Sequence, residues 1–92
     1  MTVETRRILI VEDEAQTRSV VEAYLEREGY WVTAVGDGER ALQAFESHRY
    51  DGVVLDLNLP GLPGEEVCRR IRDVSDVPII MLTAKGAEEE RI

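Results

Sequence analysis

Three carboxylates stand directly after apolar runs that are typical of buried strands. Glu12 and Asp13 follow residues 8–11, and Asp56 follows residues 53–55. If these runs are neighbouring parallel strands, their carboxyl ends lie on one edge of the sheet, where open α/β sheets bind ligands. Like charges so close together repel one another, and they raise a pKa or require a cation. The pattern therefore predicts a cation site made of oxygen ligands.

The chemistry of this site follows from its ligands. Oxygen ligands favour Mg²⁺ over Zn²⁺, with Mn²⁺ as a further possibility. The single cysteine, Cys68, and the single histidine, His48, exclude a Cys-rich or multi-His metal site. Asn58, two residues after Asp56, could add its backbone carbonyl oxygen. A carboxylate beside a metal can attack a phosphoryl group and form an aspartyl-phosphate.

The same acidic residues also have a purely structural interpretation. A single aspartate at a strand end is most often a solvated turn residue or a helix cap, and Asp13 could cap the first helix. Two strands that both end in acids on the same sheet edge are much less often a coincidence. The set as a whole therefore favours function.

Three further residues follow the fourth predicted strand at the same edge. Thr83 alone would be a routine strand end, but its hydroxyl could donate to an anion bound at Asp56. Ala84 is small and could leave space for attack on that anion. Lys85, the only lysine, is more typical of a solvated loop than of a catalytic ammonium group.

Strands and helices alternate along the chain and must position these residues. We predict strands at residues 8–11, 30–35, 53–56 and 77–82, and helices at residues 15–28, 39–48 and 65–72. This alternation implies right-handed crossovers and a mostly parallel, doubly wound α/β sheet. Gly29 is expected to end the first helix and Asp37 to cap the second.

The first predicted helix has an apolar stripe, which we expect to pack inward. Val20, Val21, Tyr24 and Leu25 form this stripe, and Arg18 lies outside it. Trp31, on the second strand, is expected to be a partly buried aromatic that packs over helix side chains.

Length and charge limit the classes of function. The 92 residues form one predicted domain, residues 1–92, with a formal net charge of −8. This acidity argues against DNA binding through a basic face and against docking on anionic lipid. No apolar run approaches the roughly 20 residues that span a bilayer. We therefore expect a cytoplasmic protein.

The segments ILIVEDE, VVLDLNLPGLPGEE and VPIIMLTA resemble the receiver domain of two-component response regulators. The resemblance extends over essentially the whole chain. It implies a flavodoxin-like (βα)₅ fold with sheet order 2-1-3-4-5, of which strands 1–4, in order 2-1-3-4, are expected here. The family's fifth strand ends in a Lys-Pro pair, so no catalytic lysine is expected in this chain, which looks incomplete at its C-terminal end.

The resemblance also implies roles for individual residues. Asp56 would be the phosphoacceptor, Asp13 a direct Mg²⁺ ligand, and Glu12 a member of the same acidic pocket. Asn58 would provide its main-chain carbonyl, and Thr83 would be the switch hydroxyl. The positions of Asn58 and Lys85 would tune the loss of the phosphoryl group.

The motif LPGxxGxxxCRxIR, together with ILIVEDE and VPIIMLTA, looks most like the OmpR/PhoB-type transcription factors. This likeness implies a sensor histidine kinase as phosphodonor. It also implies a C-terminal winged-helix DNA-binding domain, which this chain lacks. A bare fourth strand at the sheet edge would favour a homodimer or a swapped oligomer.

The predicted function is therefore a signalling switch that assists its own phosphorylation and dephosphorylation. One alternative is a phosphatase-like hydrolase with an aspartyl-phosphate intermediate. Such hydrolases need an acid two residues after the nucleophile, where this chain has Asn58. The other alternative is a receiver that acts through protein contacts without phosphorylation, which the intact acid set disfavours.

Overall fold

The computed structural model describes residues 5–82 and has four strands and three helices in this part of the chain. The strands are β1 (Arg7–Val11), β2 (Trp31–Val35), β3 (Gly52–Asp56) and β4 (Ile79–Leu82), and the helices are α1 (Ala15–Arg27), α2 (Gly38–Ser47) and α3 (Gly64–Val74). All strand pairs are parallel, in the order β2-β1-β3-β4. The predicted α/β class and strand order are confirmed.

The signals for the helix ends are also confirmed. Gly29 follows α1 with a φ of 100°, the left-handed conformation that glycine adopts without steric cost. Asp37 precedes α2, and its Oδ1 accepts a hydrogen bond of 2.8 Å from the backbone N–H of Arg40. The turn between β2 and α2 is therefore set by local chemistry.

The structural alternative, in which Asp13 caps α1, is not what the structure shows. The residue before this helix is Glu14, and its side chain accepts no capping hydrogen bond from the helix backbone. The Glu14 carboxylate accepts instead from the hydroxyl of Thr17. Because Glu14 separates Asp13 from the first residue of α1, the carboxylate of Asp13 remains available at the sheet edge.

Two expectations about burial are wrong as well. Val20 and Tyr24 of the α1 stripe are 66% and 58% exposed. The helix packs mainly against β1 and β2, so the part of its stripe that does not face these strands stays open to solvent. Trp31 is 58% exposed. It stands at the start of an edge strand, and the guanidinium of its register neighbour Arg7 lies 4.9 Å from the ring centroid.

The hydrophobic core lies on the other face of the sheet, beneath α2 and α3. The sheet contributes Leu9, Val11, Val53 and Leu55, and the helices contribute Ala41, Val67 and Ile71. Each of these side chains is at most 1% exposed. The two central strands, β1 and β3, are thus held firmly where they carry the candidate site.

No helix in the described part of the chain is long and apolar enough to cross a membrane.

Candidate functional site

The central strands bring the three acidic residues together. Val11 of β1 is the register partner of Leu55 in β3, so Glu12 and Asp56 are the next residues on the two strands. Glu12, Asp13 and Asp56 each offer a carboxylate oxygen, and these oxygens lie within 4.8 Å of one another. We call these three residues the acid cluster. Its position is the carboxyl edge of the sheet, as the strand pattern predicts.

The acid cluster is partly buried. Asp56 is 2% exposed and Glu12 is 9% exposed, whereas Asp13 is open to solvent. Burial raises the pKa of Glu12, and the charges of Asp56 and Asp13 raise it further. The backbone N–H of Glu14 opposes this rise, because it donates to Glu12 Oε2 at 3.0 Å. Within residues 5–82, none of the three carboxylates forms an ion pair with arginine.

The loop after β3 holds the Asp56 carboxylate. The backbone N–H of Asn58 donates to Asp56 Oδ1 at 3.0 Å, which orients the carboxylate relative to the strand. This contact uses the Asn58 N–H, and the expected role of its carbonyl as a metal ligand stays a prediction. The Asn58 side chain is exposed.

Gly64, the first residue of α3, packs against the backbone of the Asp56 segment. A Cβ atom at this position would lie 2.7 Å from Leu57 Cα and 2.8 Å from the Asp56 carbonyl oxygen. Real Cβ atoms do not approach so closely, so only glycine lets α3 begin here. No role for Gly64 was predicted from the sequence, although the Pro63-Gly64 pair is a signal of unusual backbone at the helix start.

Arg18 is a second residue at the site for which the sequence pattern predicts no role. Its Nη1 donates to the backbone carbonyl oxygen of Glu12 at 2.9 Å. The helical pattern places Arg18 outside the apolar stripe of α1, and that position gives no sign of this contact. The half-buried guanidinium therefore reaches from the helix back to the strand end that carries the acid cluster.

Thr83, Ala84 and Lys85 lie outside the described residues, so their roles stay predictions. Leu82 is the last described residue and is the register partner of Asp56. Its carbonyl oxygen accepts a hydrogen bond of 2.9 Å from the backbone N–H of Leu57. The strand that leads to Thr83 therefore ends beside the Asp56 segment.

The donor set fits a hard divalent cation. All three candidate side-chain ligands are carboxylates, and Mg²⁺ takes oxygen ligands of this type. Burial and the neighbouring carboxylates raise the pKa of Glu12, and a bound cation would relieve the repulsion among the three carboxylates. The arrangement can therefore hold a cation next to the buried carboxylate of Asp56.

Comparison with known proteins gives a consistent result. The family model described as response regulator receiver domain matches residues 8–92. The transcriptional regulatory protein ResD of Bacillus subtilis (strain 168) is 47% identical over 86 residues, which are 94% of this chain and 36% of ResD. The chain thus spans about a third of the length of this curated relative.

Two solved structures are similar along most of the chain. The response regulator protein TrrA of Thermotoga maritima, in complex with Mg²⁺-BeF, matches with a TM-score of 0.85 and 41% identity over 92% of this chain and 75% of that chain. A complex of the histidine kinase ThkA with TrrA matches with a TM-score of 0.84 and 39% identity over 96% of this chain and 77% of that chain.

Proposed function

Because the chain belongs to the response regulator receiver domain family, we propose that it accepts a phosphoryl group on Asp56 in a Mg²⁺-dependent reaction. A phosphohistidine of a sensor histidine kinase is the proposed donor. The acid cluster carries this proposal, since it sets a buried carboxylate beside two others within 4.8 Å. The chain acts as a switch and assists its own phosphorylation and dephosphorylation.

The proposed step is a transfer between two covalent partners. A bond forms between a carboxylate oxygen of Asp56 and phosphorus, while the bond between phosphorus and the donor's nitrogen breaks. The Asn58 N–H, 3.0 Å from Asp56 Oδ1, keeps the carboxylate in one orientation. Fixing the nucleophile in this way lowers the entropic cost of reaching the transition state.

Four groups of the chain would hold the cation. They are the carboxylates of Glu12, Asp13 and Asp56 and the backbone carbonyl of Asn58, a set that would also accept Mn²⁺. A bound Mg²⁺ neutralises negative charge on the transferring oxygens. The pairing of TrrA with Mg²⁺-BeF supports this assignment.

The residues after β4 have proposed roles in the same reaction. The Thr83 hydroxyl donates to the phosphoryl group, Ala84 leaves access to it, and Lys85 together with Asn58 tunes its loss. Asp56 and Leu82 are register partners, and Thr83 follows Leu82 in the chain, which supports a role near the phosphoacceptor.

For the whole protein we propose control of transcription. Residues 1–92 are its receiver domain, and a DNA-binding domain beyond them contacts DNA; ResD, of which the match covers 36%, supports this arrangement. We also propose a cytoplasmic location, since a transcription regulator must share a compartment with the DNA that it controls. We propose a homodimer or a swapped oligomer as the working assembly. Light scattering after size-exclusion chromatography measures the oligomeric state directly. A monomer in both phosphorylation states would contradict this proposal.

One experiment tests the phosphoryl transfer. The chain is incubated with Mg²⁺ and acetyl phosphate, a small phosphodonor, and its intact mass is followed. We expect one phosphoryl adduct, which Asp56→Asn abolishes. Asp73→Asn is the matched control, because Asp73 is an exposed aspartate on α3 that pairs with Arg69. It should leave the adduct intact.

Other outcomes would contradict the proposal. An adduct that persists in Asp56→Asn would move the phosphoacceptor elsewhere. A wild-type chain without any adduct would favour a receiver that acts through protein contacts alone. Multiple turnover on diverse phosphate esters would favour the hydrolase.

A further inference from the structure

We propose that Arg18 is a positioning residue for the cation site, and that its contact with the Glu12 carbonyl sets the affinity of the acid cluster for Mg²⁺. The inference rests on the proposed function, because it concerns the same cation. Arg18 acts through the backbone that joins Glu12 to Asp13, and it is not one of the proposed ligands.

Three hydrogen bonds hold Glu12, two of them at its backbone and one at its side chain. Its N–H donates to the carbonyl of Val35 at 3.0 Å, and its Oε2 accepts from the N–H of Glu14 at 3.0 Å. Arg18 Nη1 supplies the third contact, 2.9 Å from the Glu12 carbonyl oxygen. This carbonyl belongs to the peptide unit that leads into Asp13, so the third contact fixes the backbone from which the exposed Asp13 side chain extends.

Gly36 leaves the space that Arg18 uses. A Cβ atom on Gly36 would lie 3.0 Å from Arg18 Nη1, tighter than an ordinary van der Waals contact. The guanidinium therefore lies between the segment after β1 and the segment after β2. Arg18 itself belongs to α1. Its side chain therefore lies where α1, the segment after β1 and the segment after β2 meet at the sheet edge.

The charge of Arg18 and its position have opposite effects on a cation. A positive charge near the acid cluster repels Mg²⁺ and would weaken binding. An ordered Asp13 carboxylate strengthens binding, since groups that orient a metal ligand are needed for full affinity. The sign of the change on removing Arg18 therefore separates the two effects.

The test measures Mg²⁺ affinity by titration calorimetry on the 92-residue chain. We expect Arg18→Gln to weaken Mg²⁺ binding by about tenfold, although it removes a positive charge. Arg27→Gln is the matched control, because it makes the same change of charge at the far end of α1. It should bind Mg²⁺ as the wild type does.

Equal or tighter binding by Arg18→Gln would overturn the inference. Arg18→Lys keeps the charge but offers one ammonium group in place of the guanidinium fork, so we expect an intermediate affinity. Because Arg18→Lys keeps the repelling charge, a loss of affinity in this variant measures the positioning contact alone, and an affinity equal to that of the wild type would also overturn the inference. This variant carries the test if circular dichroism shows that Arg18→Gln does not fold.

A second measurement separates cation binding from the chemical step. With acetyl phosphate at saturating Mg²⁺, the phosphorylation rate of Arg18→Gln should return close to that of the wild type. A rate that stays low would locate the defect in the chemistry and contradict the inference. A wild-type chain that binds no Mg²⁺ would instead contradict the proposed function.

Discussion

In two groups of charged side chains in this molecule, the pKa of a carboxyl group is shifted in opposite directions. On the surface of α3, Glu66 lies 2.6 Å from Arg69 Nη2 and 2.8 Å from Arg70 Nε. These hydrogen bonds lower the pKa of Glu66 from 4.5 to about 2. In the acid cluster, burial and the neighbouring carboxylates raise the pKa of Glu12.

The difference shows which charges the fold neutralises by itself. The partners of Glu66 lie three and four residues further along the same helix. Its charge is therefore neutralised by neighbours on one helical face, without any contact between distant parts of the chain. The acid cluster comes from the ends of two strands, and no arginine of residues 5–82 forms an ion pair with its carboxylates. A fold that carries such repulsion gains from a cation taken up from solution.

The largest effect that would sharpen this comparison comes from the cation itself. At Mg²⁺ about ten times above its Kd, we expect the free energy of unfolding to rise by about 1.4 kcal/mol, because the ion binds the folded chain. Urea unfolding with and without Mg²⁺ measures this gain. Asp56→Asn should lose most of it and Glu66→Gln should keep it; the same gain in both variants would break the comparison.

A smaller effect concerns Glu12 without Mg²⁺. Its folded pKa lies above the ordinary value of 4.5, so ionisation penalises the folded state as pH rises past 4.5. Glu12→Gln, which keeps an acceptor for the Glu14 N–H, should melt at a higher temperature than the wild type at neutral pH. Thermal melts should show this gap closing as pH falls through the raised pKa of Glu12 toward 4.5, and no gap below 4.5. A gap independent of pH would mean that repulsion is not its cause.

The smallest effect concerns Glu66. Its pKa is lowered from 4.5 to about 2, so its contribution is complete above 4.5 and disappears as pH falls through about 2. Glu66→Gln should therefore melt slightly below the wild type at neutral pH and together with it near pH 2. High salt should also close the gap, because these are surface ion pairs. Persistence of the gap in acid would indicate lost packing instead.

Much of this arrangement was predictable from local patterns. Apolar runs that end in Glu12 and Asp56 identify strands, and the geometry of parallel sheets then brings their ends to one edge. Gly29 and Asp37 carry helix-end signals that need no knowledge of the rest of the fold. The strand order is the one that the family resemblance implies.

Other features depend on the path of the chain in space. The Arg18 contact is made by a long side chain that reaches a backbone carbonyl, and no spacing rule encodes such a reach. The exposure of Val20 and Tyr24 depends on what else lies on that face of the sheet. The need for glycine at Gly64 appears only when α3 is placed against Leu57.

The single tryptophan of the chain makes the two ends of the sheet optically separable. Trp31 starts β2, whereas Glu12 bonds to Val35 at the other end of that strand, about 13 Å away at the usual rise per residue. Its emission should therefore stay constant when a cation enters the acid cluster, and it should shift when the strands separate. Fluorescence of the unaltered chain thus reports unfolding without interference from ligand at the site.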